Sequence, residues 1–390
     1  MERIKVIIAG IASLILTAGI ARFSFTPLLP VMKEQANLSA VAGAWLAAIN
    51  YIGYFAGALI AIQLKNHLHK FYFYRISLVA AIVTTVAMGF TTNYFAWGML
   101  RFLSGISSIA GFTLASGLVL DWLTTHHFKK ELGLHFSGIG LGIFFSGVVF
   151  LLFEKSFPWD RLWIIYGVLG ILFFVPAWIW LPIPTIETAN KTTVSSVKNI
   201  SQKWFWLMLS TYFCAGFGYV ISATFIVDML KEMAAFQGQS AFIWIIVGLS
   251  GIPATYLWDF ISRKTGAINS LIIAYLLQVV SVLIPAFSTA QIPNLIGAIL
   301  FGSTFVGIVS LTLTLIGNKY PQNPVKAMSK LTLTYGLAQI IAPVISGYTL
   351  KTTGNYITIL CITALLIVIG IVFLLQLQRT EGNEVHEIAE

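Results

Sequence analysis

Fixed negative charge is scarce in this chain. Its 390 residues include 14 Asp and Glu against 23 Lys and Arg. None of the acids falls in the middle of an apolar run. Asp121, Asp228 and Asp259 come nearest to membrane depth, each at the end of a run. Charged residues make up 9% of the chain and hydrophobic ones 58%, where a soluble domain carries about 25% charged residues. That excludes an ordinary soluble domain, and the apolar runs are too many for a single anchor. The two cysteines, Cys214 and Cys361, each lie inside an apolar run, which excludes a disulfide framework and argues against a metal cluster. H-E-x-x-H, G-x-S-x-G and P-loop signatures are missing, and no two acids share a membrane run. Nothing therefore reads as an enzyme site, and no metal or cofactor is implied. The net charge of +9 is not a nucleic-acid footprint, because in so apolar a chain the position of the basic residues matters more than their sum.

What is present is length. A membrane helix needs about 20 mainly apolar residues. That ruler finds twelve: 4–31, 40–63, 74–92, 94–120, 132–153, 162–182, 204–229, 241–259, 268–288, 291–317, 327–350 and 355–377. The first could pass for a signal peptide. Its apolar part is too long, no small-residue cleavage site ends it, and Arg22 interrupts it. The longest polar interval, 183–203, divides the chain into a six-helix bundle over 1–182 and another over 204–377. The acidic tail, 378–390, reads as exposed and disordered.

With the N-terminus placed in the cytoplasm, 16 Lys and Arg fall in inside segments and five in outside loops, while Arg22 and Arg101 lie within helices. This bias puts both termini in the cytoplasm. The halves also echo each other. "AGIARFSF" from Ala18 parallels "AGFGYVIS" from Ala215, and "GMLRFLSG" from Gly98 parallels "GAILFGST" from Gly297, at offsets of 197 and 199 residues. Parallel repeats of this kind are a transporter plan, with the substrate site between them near mid-membrane.

Twelve helices, a long middle loop and parallel halves resemble the major facilitator superfamily over essentially the whole chain. After the second helix that family has a Gly-x-x-x-Asp-Arg-x-Gly-Arg-Arg pattern. "GALIAIQLKNHLHKFYFYR" keeps Gly57 and basic residues but lacks the aspartate. "GIPATYLWDFISRKTG" in the second half keeps Asp259, Arg263 and Lys264. The resemblance implies that these four residues form a cytoplasmic latch stabilising an outward-facing state. "RFLSG" is similar to the family's Arg-x-x-x-Gly element at Arg101 and Gly105. More narrowly, "GIARFSFTPLLPVM" with "GFGYVISATF" resembles the YbfB-like branch of bacterial facilitators. This implies an all-α carrier of the bacterial inner membrane that works by alternating access, and a monomer suffices.

The chemistry centres on two buried arginines. A charge at the middle of a membrane helix costs about 2.5–3.5 kcal/mol on insertion scales. Arg22 and Arg101 both fall about 10 Å below the outer surface, from the 1.5 Å rise per residue. Buried ions ordinarily pair, and no acid stands at that depth. Arginine presents a planar fork that fits carboxylate or phosphate, so the missing partner is expected to arrive as an anionic small-molecule substrate. The alternative is that both bond to carbonyls, hydroxyls and water. Asn50 and Tyr54 share a face of helix 2, four residues apart. Tyr219 in helix 7 and Tyr335 and Gln339 in helix 11 are further substrate contacts. His135 and Asp228 are the weaker candidates for proton coupling. "THHFKKE" reads as a solvated loop rather than a metal site. Four-residue spacings of small residues (Gly53 and Gly57; Gly138, Gly142 and Ser146) predict close helix contacts. A competing reading, from an aromatic content of 14%, is an efflux carrier for amphipathic or drug-like compounds.

Overall fold

The computed structural model describes residues 1–64, 66–128, 132–184, 202–236, 240–320 and 324–389. Lys65, Lys129, Lys130, Glu131, Lys191, Lys198 and most of the 183–203 interval lie outside them. In lipid, a backbone must satisfy its own hydrogen bonds, so long apolar runs become helices. The first six are α1 (Glu2–Gln35), α2 (Ala40–Gln63), α3 (His67–Met88), α4 (Tyr94–Thr125), α5 (Leu132–Phe153) and α6 (Trp159–Ile179). Then follow α7 (Gln202–Lys231), α8 in two arms (Ser240–Gly251 and Ala254–Thr265), α9 (Ala267–Phe287), α10 (Gln291–Lys319), α11 (Pro324–Thr353) and α12 (Ile357–Ala389). Eleven are long and apolar enough to cross a membrane alone. The arms of α8, bent by 46° at the break before Ala254, make a twelfth span together. Pro253 stands at that break, as its missing amide predicts.

Polar residues mark the helix starts. Ser39 accepts from the Ala42 amide (3.1 Å), Asn66 from Leu68 (2.8 Å) and Asn93 from Ala96 (3.1 Å), capping α2, α3 and α4. Gly266, at φ +84°, makes the left-handed turn between α8 and α9. With twelve spans, both chain ends lie on one face of the bundle, the terminal face.

Helices α1–α6 and α7–α12 form two halves. In the most apolar stretch of α7, 94% of residues are buried, and in α1 78%, against 33% in α6. So α1 and α7 stand at the centre and α6 on the rim. The halves meet where α2 packs on α11, α5 on α8, and the last turns of α1 on α7. Within the first half, α1 crosses α5 with almost no space: a Cβ on Gly19 would stand 2.3 Å from the Gly142 Cα.

Two boundaries differ from the sequence reading for physical reasons. Helix α1 does not stop at 31 but continues through Pro27 and Pro30 to Gln35. The turns ahead of these prolines, Ile15–Phe23, are π-helical instead. Helix α12 does not stop at 377, nor does the tail leave the helix there. The Glu381 carboxylate accepts from Trp204 Nε1 (3.0 Å) and pairs with Lys319, fastening the extension to α7 and α10. Glu381→Gln should cost about 1 kcal/mol, since the pair is partly solvated. A melting-temperature drop of about 1–2 °C in detergent would register it.

On the face opposite the termini the halves are bonded together. Thr26 donates to the Ala223 carbonyl (2.6 Å) and Trp244 Nε1 to Ser146 Oγ (3.0 Å). Lys33 Nζ meets both Asp228 oxygens (2.8 and 3.0 Å), the Tyr356 hydroxyl donates to the same carboxylate, and Lys231 pairs with Glu34 (2.7 Å). Residues 21–32 and 220–230 are all buried, so that face is sealed. Toward the terminal face, Thr255 donates to the Gly133 carbonyl (3.1 Å).

Candidate functional site

The π-helical turns of α1 create the site. Their irregular hydrogen bonding leaves carbonyls available to side chains, a feature common at functional positions. The Ala21 carbonyl accepts from Ser104 Oγ (2.9 Å) and Arg101 Nη1 (3.3 Å), and the Thr17 carbonyl from Ser108 (3.2 Å), all three donors on α4. A second π-helical segment, Ala110–Ala115, lies in α4 itself. Small residues let α4 come this close: a Cβ on Gly111 would stand 2.5 Å from Thr17 Oγ1.

Arg22 ends the wide turns and projects between the halves. It is 5% exposed. Its guanidinium carbon lies 4.3 Å from the Tyr51 ring centre, 5.0 Å from Tyr54, 5.6 Å from Phe23 and 5.7 Å from Phe112. Such ring faces attract a cation, by about 2 kcal/mol when desolvated. Among the described residues no Asp or Glu pairs with it, and its buried Nε has no hydrogen-bond partner. Arg101, also buried, lies 4.6 Å over Phe25 besides donating to Ala21. Asn50 Nδ2 donates to the Arg101 carbonyl (2.9 Å), leaving its own buried Oδ1 unpartnered. Both arginines, Asn50, Tyr51, Thr26 and Thr224 line one cavity of ≈ 10 Å³, room for about one water.

The second half supplies rings. Tyr219 follows Arg22 by 197 residues, the offset that relates the halves, and is within electrostatic reach of it. Tyr219 lies 5.9 Å from Tyr335 and 5.1 Å from Phe305, and Tyr335 lies 4.5 Å from Tyr212. Thr113, hydrogen-bonded to Tyr54, is exposed, so the chamber is approached from the terminal face.

The structure thus gathers Arg22, Arg101, Asn50 and Tyr54, with Tyr219 and Tyr335 across the seam. Gln339 lies one turn beyond Tyr335, buried, its Oε1 unpartnered. His135 is not brought to the chamber: it packs inside the first half, its Nε2 3.2 Å from the Gly111 carbonyl. Asp228 is held at the opposite face by Lys33 and Tyr356. Just beyond it, burial and the Asp228 charge hold the Glu232 carboxyl above its ordinary range. Of the latch residues, Gly57 packs against α4, where a Cβ would stand 2.9 Å from the Ile106 carbonyl. Asp259 pairs with Arg263 of its own helix and Lys264 lies over Phe260 (4.3 Å), all near the terminal face.

Sequence reasoning missed Tyr51, the ring nearest Arg22, although it shares a helix face with Tyr54 three residues on. It also missed Lys33 as the partner of Asp228. Both stand near the same ends of α1 and α7, so aligning the two halves would have raised the pair.

Comparison with known proteins agrees with the fold. Residues 14–375 match the family described as "Uncharacterised MFS-type transporter YbfB". A relative in Bacillus subtilis (strain 168), the uncharacterized MFS-type transporter YceJ, is 22% identical over 68% of this chain and 69% of its own. Among solved structures, a mutant of the nucleoside transporter NupG superposes with a TM-score of 0.75 at 15% identity, covering 97% of this chain and 100% of that one. A bacterial homolog of the human lysosomal transporter Spinster, in an inward-facing and unoccupied conformation, gives 0.69 at 16% identity, with 97% of each chain covered. These likenesses establish the fold, and the family match establishes kinship: the chain is a multi-pass membrane protein that belongs to the YbfB-like family of major facilitator superfamily transporters.

Proposed function

We propose that this transporter carries a small organic anion across the bacterial inner membrane by alternating access, with Arg22 as its fixed counter-charge and Arg101 as a second positive wall. One observation carries the reading: two buried guanidiniums line the same cavity between the halves, and no carboxylate of the described chain pairs with either. A buried charge is paired in ordinary circumstances. The ring faces around Arg22 and the carbonyl beneath Arg101 stabilise these cations without neutralising them. One chain supplies both walls of the cavity, so a monomer suffices for transport. The Lys and Arg bias puts the terminal face in the cytoplasm, so the sealed face looks outward.

The ring cluster around Tyr219 favours a second reading, carriage of neutral amphipathic compounds. Thermal-shift measurements on the purified protein separate the two, since a ligand that prefers the folded state stabilises it. Carboxylates and phosphorylated compounds should raise the melting temperature and their neutral amides should not. Arg22→Gln should weaken anion binding about 30-fold, about 2 kcal/mol for a lost charge-assisted bond, with folded yield unchanged. Proteoliposome uptake should fall in parallel. Equal uptake by wild type and Arg22→Gln, or equal stabilisation by acids and amides, would defeat the anion reading.

A further inference from the structure

We infer that the anion is aromatic: a planar ring carrying a carboxylate, its charge on Arg22 and its ring between the tyrosines of the two halves. This rests on the anion reading and adds the chemical class.

Helices in lipid pack through small residues and aliphatic surface, and a buried tyrosine hydroxyl must find a partner. Outside the chamber the tyrosines do so on fixed carbonyls: Tyr74 on Ala177 (2.8 Å), Tyr166 on Ser146 (2.6 Å) and Tyr275 on Thr211 (2.9 Å). No described hydrogen bond ties Tyr212, Tyr219 or Tyr335 to a carbonyl. Tyr219 is hydrogen-bonded instead to Tyr51 of the first half, and this side-chain contact, like the ring contacts, can part with the halves.

The faces of these tyrosines are closer to parallel than to edge-on. Tyr212 and Tyr335 are inclined by 32°, Tyr219 and Tyr335 by 28°, and Tyr219 and Phe305 by 34°. Edge-to-face contacts occur elsewhere in the molecule, as between Trp97 and Trp159 at 89°. Faces turned this way, rather than edge-on, are the geometry into which another planar ring can stack. Opposite them, Tyr51 and Tyr54 flank the guanidinium. The walls therefore offer a cation at one side and ring faces at the other. Two buried acceptors without partners, Asn50 Oδ1 and Gln339 Oε1, can take a hydroxyl or amine proton from a substituted ring. The cavity of ≈ 10 Å³ beside the two arginines is too small for a substrate ring in this form. A substrate ring takes its place among the tyrosines as the halves part.

The test is a competition and thermal-shift series on the full-length protein, using benzoate, 1-naphthoate, indole-3-acetate, cyclohexanecarboxylate, acetate and benzamide. At least one arene carboxylate should bind tenfold or more tightly than cyclohexanecarboxylate, and benzamide should not bind. Tyr219→Leu should erase that tenfold preference while leaving acid favoured over amide; Tyr219→Phe, which keeps the ring, should retain it. If cyclohexanecarboxylate or acetate matches the arenes, the aromatic inference falls and the anion reading stands. If benzamide matches benzoate, the anion reading falls instead. If no arene carboxylate binds at millimolar concentration, or Tyr219→Leu leaves the preference intact, the inference is overturned.

Discussion

Lys33→Met should unseal the face opposite the termini. Lys33 contacts both oxygens of Asp228, whose side chain is only 5% exposed. The substitution leaves that carboxylate buried with the Tyr356 hydroxyl. Breaking a buried pair by removing one partner costs about 3–5 kcal/mol. The lower end applies because Lys33 itself is 24% exposed. The loss falls on the sealed state alone, since parting the halves returns Asp228 to water. A bias of about 3 kcal/mol changes the sealed-to-open ratio by roughly 150-fold. The measurement is the labelling rate of Thr224→Cys, a cavity-lining position, by an impermeant maleimide in whole cells, with Cys214 and Cys361 replaced by Ser. Labelling should speed up in Lys33→Met and return toward the parental rate in the charge-reversed pair Lys33→Asp with Asp228→Lys. No acceleration would mean that packing, not charge, holds this face shut.

Gly19→Val should remove most of the folded protein. The added Cβ alone would stand 2.3 Å from the Gly142 Cα and 2.7 Å from its carbonyl carbon. These are backbone atoms, so no rotamer change relieves the clash and α1 must move off α5. Gly to Ala in a helix gains about 1 kcal/mol in propensity, but overpacking against a rigid neighbour costs about 1–3 kcal/mol and a branched side chain more. A net loss of about 4 kcal/mol is expected for Val and about half that for Ala. Arg22 lies one turn further along α1, so the displacement also moves the guanidinium. Gly19→Ala should fold in part and bind anions poorly. Size-exclusion yield and melting temperature report the first effect and ligand-induced thermal shift the second. Wild-type behaviour of Gly19→Val would show that the crossing is looser than described.

The spans were legible because each is a long apolar run and lipid leaves such a run no backbone alternative to a helix. Their ends were less legible. Hydropathy measures the thickness of the bilayer, and a helix continues past it wherever its next turn is held. Helix α4 runs on to Thr125, and α12 passes 377 because Glu381 reaches Trp204 and Lys319. At the chamber, Arg22, Tyr54, Tyr219 and Tyr335 could be picked out from helix faces and buried charge. The engagement of Arg101 with the Ala21 carbonyl could not, since a π-helical turn arises from how two helices meet and leaves no residue pattern of its own. The partnership of Lys33 with Asp228 was overlooked for a different reason: aligning the halves puts the two at the same ends of α1 and α7, but does not by itself say that these ends touch. The two are 195 residues apart, and only the approach of α1 to α7 joins them.

Arg22 and Tyr219 occupy equivalent places in the two repeats, yet one carries charge and the other a ring. The duplicated architecture is therefore asymmetric at its middle, and any guest lodged there acquires a head and a tail. In the proposed binding mode its head is fastened to one half and its tail to the other. Whatever drives the halves apart stretches that attachment from both sides, so the grip slackens as the exit widens and release accompanies opening without a separate trigger.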